Sequence, residues 1–91
     1  MKFMMTYQIS TADWEDAVTR FLAGTERVPE GLTLVNRWHA AAGRYGYLLL
    51  EGDDPALIYE YSGQWHDLCD IDVTPVIEDE AAAAVLQGLR D

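Results

Sequence analysis

Two apolar patterns alternate along the chain, one with the period of a strand and one with the period of a helix. From Lys2 to Ile9 the residues Phe3, Met5, Tyr7 and Ile9 share one face and Met4 lies on the other, the two-residue period of a strand. Ser10-Thr11-Ala12-Asp13 then supplies helix-capping side chains and an early acid suited to the positive end of a helix dipole. Trp14, Ala17, Val18, Phe21 and Leu22 follow at helical spacing, with Glu15, Asp16, Thr19 and Arg20 on the wet side, and Gly24 as a natural stop. Residues 25–31, with Pro29 and Gly31, read as a loop. Leu32 to Ala40 alternates as a second strand, and Ala41-Ala42-Gly43-Arg44 predicts a hairpin into the unbroken apolar run Tyr45-Gly46-Tyr47-Leu48-Leu49-Leu50.

The second half repeats the scheme. Gly52-Asp53-Asp54-Pro55 places an aspartate at a helix cap and proline in the first turn. Leu57, Ile58, Tyr61 and Trp65 form the stripe of that helix, which Gly63 weakens before Trp65. Leu68 to Ile77 alternates again, with Cys69, Ile71, Val73, Pro75 and Ile77 on one face; Pro75 cannot donate to a ladder and predicts an edge or a strand end. Glu78-Asp79-Glu80 leads into a short terminal helix, Ala81 to Leu89. Strand, helix, strand, strand, helix, strand is the ferredoxin-like βαββαβ order. The expectation is one α+β domain over residues 1–91, with a four-stranded antiparallel sheet and a C-terminal helix. A sheet apolar on both faces needs two covering layers, and the helices suffice for one. The second face is therefore expected to meet another copy, giving a homodimeric α/β barrel around a sheet-lined cavity.

Composition narrows the partners. With 16 acidic against 6 basic residues the net charge is −10, which repels nucleic-acid phosphates and anionic lipid surfaces, so no nucleic-acid or membrane partner is expected. No stretch approaches the roughly 20 apolar residues that span a bilayer. The amino terminus lacks the long apolar core of a signal peptide, and the single cysteine, Cys69, has no internal disulfide partner, so the default expectation is a cytoplasmic location.

Four segments carry a resemblance. Met1-Lys2-Phe3-Met4, Arg37-Trp38-His39, Gln64-Trp65 and Val73-Thr74-Pro75-Val76 resemble a bacterial family of unknown function, number 3303 in the domain-of-unknown-function series, over nearly the whole chain. Such proteins look like members of the dimeric α/β-barrel superfamily, in which two ferredoxin-like subunits pair sheet to sheet. That superfamily includes cofactor-free monooxygenases, lactone isomerases, dye-decolourising peroxidases, heme-degrading enzymes and plant stress proteins. The resemblance implies the fold and the dimer and supplies no reaction.

The candidate chemistry centres on strand two. Arg37 and His39 share a face there, with Trp38 on the other. Facing the dimer cavity, they would set a fixed cation beside a group that titrates near neutrality, Arg37 holding an anion and His39 accepting a proton. Exposed, they would simply pair with the many acids. Asp70 and Asp72 share a face of strand four, either as general bases and partners for His39 or as solvated carboxylates that discourage edge-to-edge association. His66, beside Asp67, is a candidate for the cavity mouth or an ordinary loop histidine. Trp38 and Tyr47 are candidate walls for a flat apolar or aromatic ligand. His66 and Cys69 match no established metal spacing, so no metal site is assigned, and no phosphate loop, dinucleotide fingerprint or nucleophile elbow calls for a cofactor. The reading is a small homodimer binding an apolar or aromatic ligand between subunits, as a cofactor-independent monooxygenase or isomerase; the alternative is a non-catalytic ligand-binding or protein-interaction module.

Overall fold

A computed structural model describes residues 1–91. The elements are β1 (Lys2–Ile9), a 3-10 turn (Thr11–Asp13), α1 (Trp14–Ala23), β2 (Thr33–His39), β3 (Tyr45–Glu51), α2 (Pro55–Gly63), β4 (Cys69–Val76) and α3 (Asp79–Arg90). The four strands form one antiparallel sheet in the order β2-β3-β1-β4. That order is consistent with a ferredoxin-like arrangement, and β4, with Pro75, lies at the edge as its sequence predicts.

Local chemistry sets the boundaries. Ser10 Oγ accepts a hydrogen bond from the Asp13 N–H, which settles an orphan donor at the start of the first helical segment. Gly24 ends α1 in the left-handed conformation (φ 67°) that a side chain would resist. Asp54 caps α2 by accepting from the Ala56 N–H, with Pro55 in the first turn. The helix stops at Gly63, so Trp65 lies beyond its end.

Helices α1 and α2 cover one sheet face. Phe3, Met5, Leu48, Leu50, Leu32, Ile58 and Tyr61 form the larger buried cluster, and Ile9, Ala17 and Leu68 a smaller one. The core is thin, with 12 of 91 residues buried, so much of the apolar surface stays outside it. On the other face Met4, Trp38, Tyr45 and Tyr47 are exposed. Helix α3 is exposed except for Ala82, which is half-buried, and its stripe of Val85, Leu86 and Leu89 is uncovered. The radius of gyration is 15.6 Å, above the roughly 12 Å of a compact chain of this length.

One irregularity decides which residues of β2 face inward. Leu34 pairs with Leu50, Asn36 with Leu49, Arg37 with Leu48 and His39 with Gly46, so Val35 is an extra residue in the ladder. Leu48 and Leu50 point to the helices, and Arg37 and His39 therefore do too. Uninterrupted alternation from the inward Leu34 would have sent Trp38 inside and Arg37 and His39 outside.

Candidate functional site

Between the sheet and the two covering helices lies a cavity of about 300 Å³. Its floor includes Met5, Tyr7, Leu48 and Ile71, its α1 side Trp14, Ala17, Val18, Phe21 and Leu22, and its far end Tyr61, Ser62, Trp65 and Cys69. The α1 stripe departs from a simple core role here. Ala17 is buried, but Phe21 and Leu22 are exposed and overhang the cavity instead of filling it.

Two polar groups interrupt the apolar wall. The first joins Tyr7 and His39, with Tyr7 Oη 2.9 Å from His39 Nδ1. Phe21 meets the same imidazole edge-on, at 5.3 Å between centroids and 71° between planes. Burial raises the Tyr7 pKa above its ordinary value, with the Arg37 charge opposing and Cys69 adding to the rise. Tyr7 is thus held as a neutral phenol. Assigning it as the donor to Nδ1 leaves Nε2 to carry the ring proton of a neutral imidazole.

The second group surrounds Glu26, in the loop between α1 and β2. Arg37 Nη2 donates to Glu26 Oε2 at 2.5 Å and to Tyr61 Oη at 2.6 Å, and Trp65 Nε1 donates to Glu26 Oε1 at 2.9 Å. Both charged side chains are largely buried, at 19% and 18% exposure, so the pair is little screened. Burial opposes the charge on Arg37, but its hydrogen bond to Glu26 and the charge of that carboxylate carry the Arg37 pKa upward overall. Burial, reinforced by the Glu26 charge, pushes Tyr61 up to about 12. The cation of Arg37 is thus already matched within the chain. Cys69 is also pushed up, to about 11, first by burial and then by the Asp67 charge, which leaves a neutral thiol near neutrality.

Register explains how Tyr7 and His39 meet. Gly46 pairs with Tyr7 on β1 and with His39 on β2, so it lies between them in the sheet. A Cβ on Gly46 would lie 2.0 Å from Tyr7 Cε2, and the ring of Tyr7 occupies the space its absence leaves. The hairpin closes over the same end of the cavity. Gly43 (φ 74°) sits against the Trp14 indole, where an added Cβ would be 3.1 Å from Cη2.

The sequence candidates divide between two surfaces. Arg37 and His39 line the cavity beneath the subunit's own helices and not the open sheet face expected to meet a second copy, because the bulge at Val35 turns them to the side of Leu48. Trp38 and Tyr47, paired across β2 and β3, lie on the open face, as do Asp72, paired with Thr6, and Asp70, paired with Gln8. Asp70 and Asp72 therefore have the sheet between them and His39 and do not orient it. His66 is exposed beyond α2, with its Nε2 3.4 Å from Ser62 Oγ, and it does not line the cavity. Asp67 is engaged by Arg20 through two contacts of 2.7 Å, which hold its pKa below the ordinary value. No group of three or more His, Cys, Asp or Glu side chains is close enough to hold a metal ion.

Sequence reasoning passed over Tyr7, Glu26, Tyr61, Trp65 and Cys69 as site residues. For Tyr7 there was a signal, a hydroxyl on an apolar strand face with a glycine in the middle of the apolar run of strand three. Glu26 had none, being one of 16 acids and placed by a loop.

The geometry can be set beside known proteins. The model of the family described as "Domain of unknown function (DUF3303)" matches residues 1–90. The chain belongs to that family. No curated protein and no solved structure matches it. The DUF3303 match thus extends through all four strands and the whole of α3, and assigns no reaction. No helix is long and apolar enough to cross a membrane.

Proposed function

We propose that the protein binds a small, flat, mostly apolar ligand in the cavity of each subunit, and that two subunits associate through their open sheet faces. The observation that carries the binding reading is the cavity itself. At about 300 Å³ it falls at the lower end of ligand sites, and its wall is apolar with two converging polar groups. The Tyr7–His39 pair is the hydrogen-bonding handle for a hydroxyl or carbonyl on the ligand, and His39 is the group able to move a proton there. In this reading the aromatic wall comes from Phe21, Trp14 and Trp65 and not from Trp38 or Tyr47.

The test uses 2-naphthol as a probe, with the three indole N–H resonances as reporters. Saturable shifts at Trp14 and Trp65, with Trp38 unmoved and affinity reduced by about tenfold in His39→Ala, are the expected result. Shifts confined to Trp38 would move the site to the open face, and no shift at any indole would remove the ligand reading.

A further inference from the structure

We propose that Glu26 sets the charge class of the ligand, making the cavity a receptor for uncharged aromatic molecules and closing it to aromatic carboxylates. The inference rests on the reading that the cavity holds a ligand. Arg37 is the only cation on the cavity wall besides the exposed Arg44, and it lies where it would ordinarily seize a carboxylate. Glu26 takes that place. Its two oxygens accept from Arg37 and from the Trp65 indole, while the same Arg37 nitrogen also reaches Tyr61. Two donors suited to an incoming anion, the Arg37 guanidinium and the Trp65 indole, are thus turned toward a carboxylate of the chain itself.

Glu26 is held there by more than its own charge. The next residue, Arg27, exchanges two hydrogen bonds with the Gln64 side chain: its N–H donates to Oε1 at 3.0 Å, and its carbonyl accepts from Nε2 at 2.7 Å. Gln64 is the C-cap of α2 and directly precedes Trp65, so one short segment fixes the loop and supplies the indole donor. A carboxylate ligand would have to displace Glu26 or lie beside it as a like charge in an apolar enclosure, and both are costly. A neutral phenol or ketone meets neither obstacle.

The experiment compares 2-naphthol with 2-naphthoate at neutral pH, by calorimetry and by shifts at Trp14 and Trp65, first in the unaltered protein and then in Glu26→Gln. Gln removes the charge and keeps one oxygen, enough for Arg37, while its amide nitrogen, a donor, gives up the bond from Trp65. The unaltered protein is expected to prefer 2-naphthol by about tenfold or more, and Glu26→Gln to move the ratio toward naphthoate by at least about tenfold. Adding Arg37→Met to Glu26→Gln should abolish that gain. Equal binding of the two probes by the unaltered protein overturns the inference even if Glu26→Gln does not fold. So does an unmoved ratio in a folded variant, while leaving the cavity as a binding site. Failure of both probes to reach the cavity in every protein removes the ligand reading and the inference with it.

Discussion

Two side chains around the cavity, Tyr61 and Cys69, are kept neutral chiefly by burial, and each gives a measurable consequence. Tyr61 is held as a phenol up to about pH 12, against an ordinary value near 10. Its folded-state pKa is raised, so its contribution is complete below pH 10 and disappears as pH rises to 12, where the folded chain would retain a proton the unfolded chain has lost. The loss should be on the order of 2–3 kcal/mol at 1.36 kcal/mol per pKa unit. Urea unfolding between pH 9 and 12 should show this decline, and Tyr61→Phe should flatten it above pH 10; an equally steep decline in the variant would assign it elsewhere. Cys69, raised to about 11 from an ordinary 9, should react with iodoacetamide at pH 7 about a hundredfold more slowly in the folded protein than in urea. Equal rates would mean the thiol is not shielded. Gly46 is the third residue whose identity is tied to the site. Gly46→Ala should cost about 1–3 kcal/mol by displacing the Tyr7 ring, and close to nothing in a Tyr7→Ala background. Additive costs in the double variant would show that the clash is not with Tyr7.

Among the elements, β2 makes the decisive departure from simple alternation. Its extra residue, Val35, is 47% exposed and touches no partner strand position, so Val35→Ser should change stability by no more than about 0.5 kcal/mol. Deleting Val35 removes the bulge without exchanging faces, because Leu34 inward, Asn36 outward, Arg37 inward and Trp38 outward then follow in strict alternation. The Arg37–Glu26 pair should survive, and the cost should be about 1 kcal/mol. Denaturant titration of the two variants checks this, and a loss of about 3 kcal/mol or more in the deletion variant, the cost of parting a buried pair, would show that Arg37 depends on the bulge itself for its place. Helix α1 shows the complementary case. Its periodic stripe named the right face, yet only Ala17 on that stripe became buried, because Phe21 and Leu22 extend past the packed part of the sheet to the cavity. Periodicity reports which way a side chain points, and packing decides whether anything fills the space there.

For the molecule as a whole, the unresolved cost is the uncovered apolar surface. The open sheet face presents Met4, Trp38, Tyr45 and Tyr47, and α3 presents Val85, Leu86 and Leu89. Exposed apolar area on this scale in a chain with so small a core is expected to associate. Light scattering coupled to size exclusion should give twice the chain mass down to micromolar concentration, and Trp38→Glu with Tyr47→Glu should give the single-chain mass. A single-chain mass for the parent at every concentration would sink the proposed dimer. Such a result would leave the cavity reading standing, because Arg37, His39 and Tyr7 lie within one subunit.

The order of the elements, the caps at Ser10 and Asp54, the stop at Gly24 and the edge position of β4 were all legible in the chain. They depend on residues near one another in sequence, through short-range hydrogen bonds and backbone preferences. The candidate site was legible only in part. Arg37 and His39 stood out as a pair, but the sequence could not tell which sheet face they occupy, because one unpaired residue at Val35 reverses that choice and has no signature of its own. Neither could it separate them from Trp38, Tyr47, Asp70 and Asp72, which the sheet places on the opposite side. The meeting of Glu26, Arg37, Tyr61 and Trp65 joins a loop, a strand, a helix and the turn after it. Only the tertiary structure decides such a meeting, since the burial that makes the Arg37–Glu26 pair consequential exists only once those four segments have closed around it.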